Sequence, residues 1–196
     1  MYDEVAEEFE YEDMTIRIEY DSDIESPRKE YDNMGHLVFT DNRYVTGDKI
    51  VTADEIREIT EDPDAIWLPV YVYAHSGVTV STGHGYPYND RWDSWLGGII
   101  YAYRNEALKW GGWDVDGEEL DTVIRNNLKI EVETFDQFVT GDVYYFQIIK
   151  EDEDGDEEIL DDCGCIYGFD YAKQYALENA QCIYESSFHQ LSLLEV

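Results

Sequence analysis

Apolar and polar residues alternate in several short segments of the chain, and this alternation predicts β-strands. Residues 14–21 (MTIRIEYD) have an apolar side chain at nearly every second position, the period of a strand with one buried face. Residues 65–75 (AIWLPVYVYAH) and 77–82 (GVTVST) predict the two strands of a hairpin that turns at Ser76-Gly77. Two further strands are predicted, at residues 36–40 and 96–104.

Two longer segments have the three- and four-residue apolar spacing of amphipathic helices, at about residues 116–135 and 169–188. A shorter helix is predicted to begin after Thr52, because Glu55 three residues later completes a capping box. Hairpins mixed with separated helices predict an α+β fold with a mainly antiparallel sheet. The 196 residues suit one domain, which we place at 14–196, preceded by an acidic N-terminal arm at 1–13.

The most acidic segment of the chain lies between two predicted strands. Residues 151–162 (EDEDGDEEILDD) hold nine carboxylates in twelve positions, and Asp154-Gly155 in their midst is a strong hairpin-turn signal. Four interpretations compete: a metal-binding loop, a disordered acidic tail, a solvated hairpin tip, and a surface that imitates another polyanion. A calcium loop of the EF-hand type fits poorly, because aligning Gly155 with its invariant glycine puts Lys150 at the first ligand position.

Composition and charge narrow the classes of function. The chain has 46 acidic and 13 basic residues, a formal net charge of -33, and 15% aromatic residues. That aromatic content favours a folded protein over a disordered acidic one. The charge disfavours binding to nucleic acid or anionic membranes and favours cations or basic proteins as partners. Adaptation to a salty cytoplasm is a further explanation of the acidity. The N-terminus does not resemble a signal peptide, so we expect a cytoplasmic protein.

Candidate catalytic and metal-binding residues are few. Cys163 and Cys165 are spaced as Cys-x-Cys rather than as a zinc-binding pair, and together with Cys182 they are interpreted as structural thiols. His75 and Ser76 could serve a hydrolase, yet the chain has no nucleophile elbow of the Gly-x-Ser-x-Gly type. We therefore expect a protein that is not an enzyme and has no cofactor and no metal site.

Several motifs give the chain a resemblance to a known family. The segments LPVYVYAHSGVTVST, WDSWLGGIIYAY, EVETFDQFVTGDVYYFQI and DDCGCIYGFDYAKQYA resemble small acidic proteins encoded by tailed phages and mobile elements. The resemblance covers roughly residues 14–177; the acidic residues 1–13 and the doubled cysteine depart from it. It implies a phage setting and supplies no catalytic residues.

These observations lead to a functional expectation. We expect a phage-encoded inhibitor that acts in the host cytoplasm as a DNA mimic on a basic, nucleic-acid-binding defence protein, either as a monomer or as a homodimer. The alternatives are an acidic accessory or structural protein that binds its partner through Tyr and Trp side chains, and the hydrolase already considered. The expected partner contacts are acids of two segments: Glu151, Asp152, Glu153, Asp154, Asp156, Glu157, Glu158, Asp161 and Asp162 in the first, and Asp114, Asp116, Glu118, Glu119 and Asp121 in the second.

Overall fold

The computed structural model of the protein describes residues 4–83, 92–152 and 154–194. The elements follow one another as β1 (Val5–Tyr11), β2 (Met14–Tyr20), α1 (Pro27–Glu30), β3 (His36–Phe39), β4 (Lys49–Ile50), α2 (Ala53–Glu61), β5 (Ala65–Ala74), β6 (Val78–Ser81), β7 (Ser94–Tyr103), α3 (Arg104–Gly111), α4 (Gly117–Thr140), β8 (Val143–Glu151), β9 (Glu157–Tyr167) and α5 (Phe169–Leu194). The fold is α+β with mainly antiparallel sheets and two long helices, as the sequence predicted.

The chain divides into two compact units. The terminal unit consists of Met1–Ile24 together with Gly141–Val196, and the central unit is Glu25–Thr140. The sequence predicts one domain over residues 14–196, whereas both chain ends build one unit and the middle of the chain builds the other.

The terminal unit is a four-stranded antiparallel sheet in the order β1-β2-β8-β9, with α5 packed on one face. The alternation in β2 works as predicted: Ile16 and Ile18 are fully buried, while Arg17 between them faces the other side. Among the side chains of α5 up to residue 187, the buried ones are Ala172, Ala176 and Ala180, four residues apart. Their small side chains let the helix backbone approach the sheet closely.

Residues 5–11 correct one prediction. Their sequence predicts an acidic arm, but they form β1, which pairs along its length with β2 from Val5↔Glu19 to Tyr11↔Met14. Phe9 and Tyr11 pack partly against the core of the terminal unit. The pairing with β2 therefore decides the structure of this segment.

The central unit contains a five-stranded sheet in the order β4-β3-β7-β5-β6, antiparallel except for the β3–β4 pair. The predicted hairpin of β5 and β6 is confirmed. Helix α4 contributes to the main core of this unit with five buried side chains: Leu120, Ile124, Leu128, Val132 and Phe135. A second cluster, to which Ile56 and Ile59 of α2 contribute, packs around Val38 and Ile99.

The start of α2 confirms the predicted capping box. The Glu55 N–H donates to Thr52 Oγ1 at 3.2 Å, and the Thr52 N–H donates to Glu55 Oε2 at 2.7 Å. The Thr52 N–H and the Thr52 hydroxyl both donate to Glu55 Oε2, and these two hydrogen bonds lower the pKa of the Glu55 carboxyl. No helix in the described part of the chain is long and apolar enough to cross a membrane.

Candidate partner-binding surface

The acidic charge is unevenly shared between the two units. The terminal unit has 24 acidic and 3 basic residues, a formal net charge of -21 over 80 residues. The central unit has 22 acidic and 10 basic residues, which gives -12 over 116 residues. Charge per residue is thus more than twice as high in the terminal unit.

Arg17 of β2 is one of the three bases in the terminal unit, and it bridges two carboxylates. Its Nε lies 2.5 Å from Glu8 Oε2, and its Nη2 lies 3.0 Å from Glu157 Oε1. A second bond from Nη1 to Glu157 Oε2 at 3.3 Å makes that pair bidentate. The hydrogen bonds to Glu157 and Glu8 raise the pKa of the Arg17 guanidinium, and the bond from Arg17 lowers the pKa of the Glu157 carboxyl.

The other two bases of the terminal unit are paired as well. Lys150 Nζ lies 2.5 Å from Asp13 Oδ2, and its hydrogen bond lowers the pKa of that carboxyl. Lys173 Nζ lies 2.7 Å from Glu7 Oε1 and 4.9 Å from the centre of the Phe9 ring. All three bases therefore form ion pairs with acids of the same unit, and among the described acids of that unit these pairs involve only Glu7, Glu8, Asp13 and Glu157.

The β8–β9 connection confirms the predicted hairpin tip. Strand β8 ends at Glu151 and β9 begins at Glu157, directly opposite one another in the register. The turn between them contains Gly155 at φ +84°, a conformation that glycine adopts without steric cost. The Gly155 N–H donates to the Asp152 carbonyl at 3.1 Å.

The nine predicted acids of this segment are close in sequence and do not share one environment. Glu153 lies outside the described residues. Asp161 is half-buried, and the remaining seven are exposed: Glu151, Asp152, Asp154, Asp156, Glu157, Glu158 and Asp162. The prediction of a solvated tip is thus confirmed for most of the segment.

Besides Glu157, which binds Arg17, two of the exposed acids have structural partners. Asp152 Oδ1 accepts the N–H groups of Asp154 and Asp156, each at 2.9 Å, and so shapes the turn. Asp162 Oδ2 accepts the hydroxyl of Tyr145 at 2.7 Å. Burial, followed by this bond to Asp162, raises the pKa of Tyr145.

The sheet face opposite α5 carries further acids, which are not among the partner contacts predicted from the sequence. Its best-defined row runs across all four strands, because Glu8 pairs with Arg17, Arg17 with Gln147, and Gln147 with Asp162. By the same alternation, this face carries six acids against one base: Glu8, Glu10, Glu19, Glu151, Glu157 and Asp162. We call this the acidic sheet face. Glu8 and Glu10 are two residues apart in the sequence, so they lie on the same face if this segment is a strand. That spacing is the sequence signal for these two acids, and it becomes visible only when the segment is assigned to a strand.

The second predicted group of acids lies in the central unit, around the start of α4. Asp114, Asp116, Glu118 and Glu119 are exposed. Glu118 and Glu119 occupy the first helical turn, where the helix dipole favours negative charge, and so they have a structural reason to be acidic.

Asp121 differs from the rest of this second group. Its carboxylate accepts two hydrogen bonds from Arg104, at 2.6 Å from Nε and 2.8 Å from Nη2. These bonds lower the pKa of Asp121. Because its charge is neutralised locally, Asp121 is a poor candidate for contact with a partner.

His75 of the hydrolase alternative contacts an aspartate. His75 Nδ1 lies 2.8 Å from Asp93 Oδ2, and both side chains are at the surface. Ser76 follows His75 in the turn between β5 and β6, while Ser94 is buried. The contact between a histidine and an aspartate is one that a Ser-His-Asp site also uses, with the aspartate orienting the imidazole.

The cysteines do not form a cluster suited to metal binding. Cys163 is half-buried, and burial together with Asp161 and Asp162 raises the pKa of its thiol. A raised pKa disfavours the thiolate that a metal or a nucleophilic site requires. Within residues 4–83, 92–152 and 154–194, no group of three or more His, Cys, Asp or Glu side chains is arranged to hold a metal ion.

Comparison with known proteins finds no match by any of three routes: no protein-family model, no curated protein and no solved structure matches this chain.

Proposed function

We propose that this protein is a phage-encoded inhibitor that imitates DNA and occupies the basic, nucleic-acid-binding surface of a host defence protein. The proposal rests on one observation: the 80-residue terminal unit carries a net charge of -21, and its three bases are all paired internally. A surface of this kind attracts a cationic partner and repels nucleic acid.

The quantity of charge suits DNA imitation. Duplex DNA carries one negative charge per ~1.7 Å of helix axis, so 21 charges correspond to about 36 Å, roughly one helical turn. The 11 residues of β9 extend over about 35 Å at the usual rise of a strand. Side chains on one face of a strand recur about every 7 Å, which is the spacing expected for Glu8 and Glu10 on β1.

The proposed contact surface consists of acids held on rigid elements. At the hairpin tip these are Glu151, Asp154, Asp156 and Glu158, and on the acidic sheet face they include Glu10 and Glu19. Asp152 and Glu157 support this surface rather than contact the partner, because their carboxylates already bind the turn and Arg17. The proposed action is binding alone, in the host cytoplasm, without a cofactor.

A plating assay tests the proposed activity. The protein is expressed in bacteria that carry one of a panel of DNA-binding defence systems, restriction endonucleases among them, and the plating efficiency of a susceptible phage is measured. A DNA mimic raises plating efficiency for the system whose protein it occupies. A tip variant, Glu151→Gln with Asp154→Asn and Asp156→Asn, should lose this effect.

A control variant with the same change in charge distinguishes the loss of partner contacts from the loss of net charge. The helix variant, Glu58→Gln with Glu61→Gln and Asp64→Asn, removes three exposed acids from the region of α2. Three contacts of ~0.5–1 kcal/mol each would weaken binding about ten- to a hundredfold in the tip variant. The helix variant should bind as the wild type does. Equal loss in both variants would mean that net charge alone matters.

Salt and DNA competition test the mode of binding once a target responds. Affinity should fall steeply as salt rises from about 50 to 300 mM, since screening shortens the range of charge–charge attraction. A duplex of about 20 base pairs should compete with the protein for the target. An affinity that changes neither with salt nor with added DNA would instead support the alternative, an accessory protein that binds through aromatic side chains.

A further inference from the structure

A pair of tryptophans in the central unit is held in place and yet left partly open to solvent. Trp110 lies in the last turn of α3, and its ring centre lies 6.1 Å from that of Trp113 at an interplanar angle of 65°. The Trp110 indole N–H donates to the carbonyl of Asp32 at 3.1 Å. Trp110 nevertheless remains 44% exposed.

The geometry of this pair depends on two glycines. A Cβ atom at Gly111 would lie 2.3 Å from the Trp113 ring, so the indole of Trp113 can lie there only because residue 111 has no side chain. Gly112 caps the C-terminus of α3 in the left-handed region at φ +62°, which turns the chain so that Trp113 comes back beside Trp110. Trp113 then packs partly against the main core of this unit.

Two exposed acids are linked to this pair, one by a backbone contact and one by its place in the sequence. Asp32, whose carbonyl accepts the Trp110 indole N–H, is exposed, and so is Asp114, the residue that follows Trp113. Consecutive Cα atoms are about 3.8 Å apart, so the Asp114 backbone is close to the pair. Exposed apolar surface continues nearby in sequence at Tyr31 and Leu108. One base, Lys109, lies next to Trp110 and is exposed.

We propose that this Trp110–Trp113 surface binds an arginine or lysine side chain on a basic protein segment. Aromatic faces attract cations, and the neighbouring carboxylates add charge complementarity. Ordered tryptophans with a polar rim are also the usual anchors of protein interfaces. The inference rests on the proposed basic partner and gives the central unit a part in binding it.

The test uses short peptides as probes and the indole N–H signals of the full-length ¹⁵N-labelled protein in NMR spectra. The Trp110 signal is assigned from its absence in Trp110→Phe. A peptide of five Arg-Gly repeats is titrated at a salt concentration high enough to suppress general attraction, about 300 mM. The Trp110 signal should shift saturably, and a peptide with citrulline in place of arginine should cause no shift.

Variants decide whether the ring itself binds. Trp110→Leu should weaken binding of the Arg-Gly peptide about tenfold, the order expected for one anchoring aromatic contact. Trp110→Phe keeps an aromatic face and should retain most of the affinity. Trp92→Leu, which removes a tryptophan that is 96% exposed, is the matched control and should change nothing.

Equal affinity for the arginine and citrulline peptides, or unchanged affinity in Trp110→Leu, would overturn the inference. Thermal melts of each variant show whether a loss of affinity is caused by misfolding. Failure here leaves the plating assay of the tip variant unaffected, and failure of the plating assay leaves the peptide titration interpretable. The two proposals can therefore fail separately.

Discussion

Asp152 and Asp156 bind each other reciprocally across the turn of the acidic hairpin. The Asp156 N–H donates to Asp152 Oδ1 at 2.9 Å, and the Asp152 N–H donates to the Asp156 carbonyl at 3.0 Å. One carboxylate in the most acidic segment of the chain is therefore part of the turn itself. The negative charge of the Asp152 carboxylate is stabilised because two backbone N–H groups donate hydrogen bonds to it.

Asp152→Ala should destabilise the hairpin, whereas substitutions of its neighbours should not. The change removes the acceptor of two hydrogen bonds, and we expect a loss of about 1 kcal/mol in the free energy of unfolding. Asp152→Asn retains a side-chain oxygen and should recover most of that loss. Denaturant unfolding and amide exchange at residues 154 and 156 measure the effect. Equal stability of the Ala variant and the wild type would contradict a structural role.

The isolated protein should become more stable as salt is added. A net charge of -33 repels itself, and screening shortens from about 30 Å at 10 mM salt to a few ångströms near 1 M. Thermal midpoints should therefore rise over this range. The tip variant should show a smaller rise, because Glu151 and Glu157 lie opposite one another and one of these charges is removed. A flat profile in the wild type would mean that the acids are already balanced internally.

The Arg104–Asp121 pair predicts a specific dependence on pH. The pKa of Asp121 in the folded protein is lowered from 3.8, so the folded state holds this proton less readily than the unfolded state does. The stabilisation by the pair is therefore complete above about pH 4 and is lost as the pH falls through the lowered pKa.

A double-mutant cycle with Arg104→Gln and Asp121→Asn isolates this contribution. The coupling energy should be about 0.5–1 kcal/mol near pH 7 and should be lost as the pH falls through the lowered pKa of Asp121. The separate hydrogen bond from Arg104 to the Pro63 carbonyl does not contribute to the coupling energy, because it is lost equally in both variants that lack the arginine. A coupling energy that is constant with pH would show that the ion pair does not contribute.

The acids of β9 suggest a second role, protection of a sheet edge. Within the described residues β9 pairs with β8 alone, so its other side is an edge open to pairing with another chain. Charged side chains on edge strands discourage such pairing. Glu158→Thr with Asp161→Thr should therefore produce species larger than the wild type in analytical ultracentrifugation. Glu58→Gln with Glu61→Gln changes the charge equally and should not. Unchanged size in the β9 variant would remove this explanation of its acids.

The His75–Asp93 contact allows a direct test of the hydrolase alternative. Because the proposed inhibition needs no bond-making step, His75→Ala with Ser76→Ala should leave the plating effect of the protein unchanged. Both residues lie at the β5–β6 turn, where their loss should cost little stability. Loss of the plating effect in a variant that still folds would favour the enzyme over the DNA mimic.

Several local features were determined by the sequence alone. The Thr52–Glu55 capping box, the Asp154-Gly155 turn and the alternation along β2 all appear in the structure as predicted. Each depends on residues within a few positions of one another, so these features form without contacts between distant parts of the chain. The exposed acids of the hairpin tip follow from the same local signals.

Only the tertiary structure decided which strands are neighbours. Strand β2 pairs with β8 from Thr15↔Ile149 to Tyr20↔Tyr144, and this pairing joins the two ends of the chain into one unit. It also brings Arg17 to Glu157, 140 positions later in the sequence. Alternation tells which face a side chain occupies and gives no information about the strand beside it. The acidic sheet face, with Glu8 and Glu10 from a segment predicted as an arm, is therefore a product of long-range pairing.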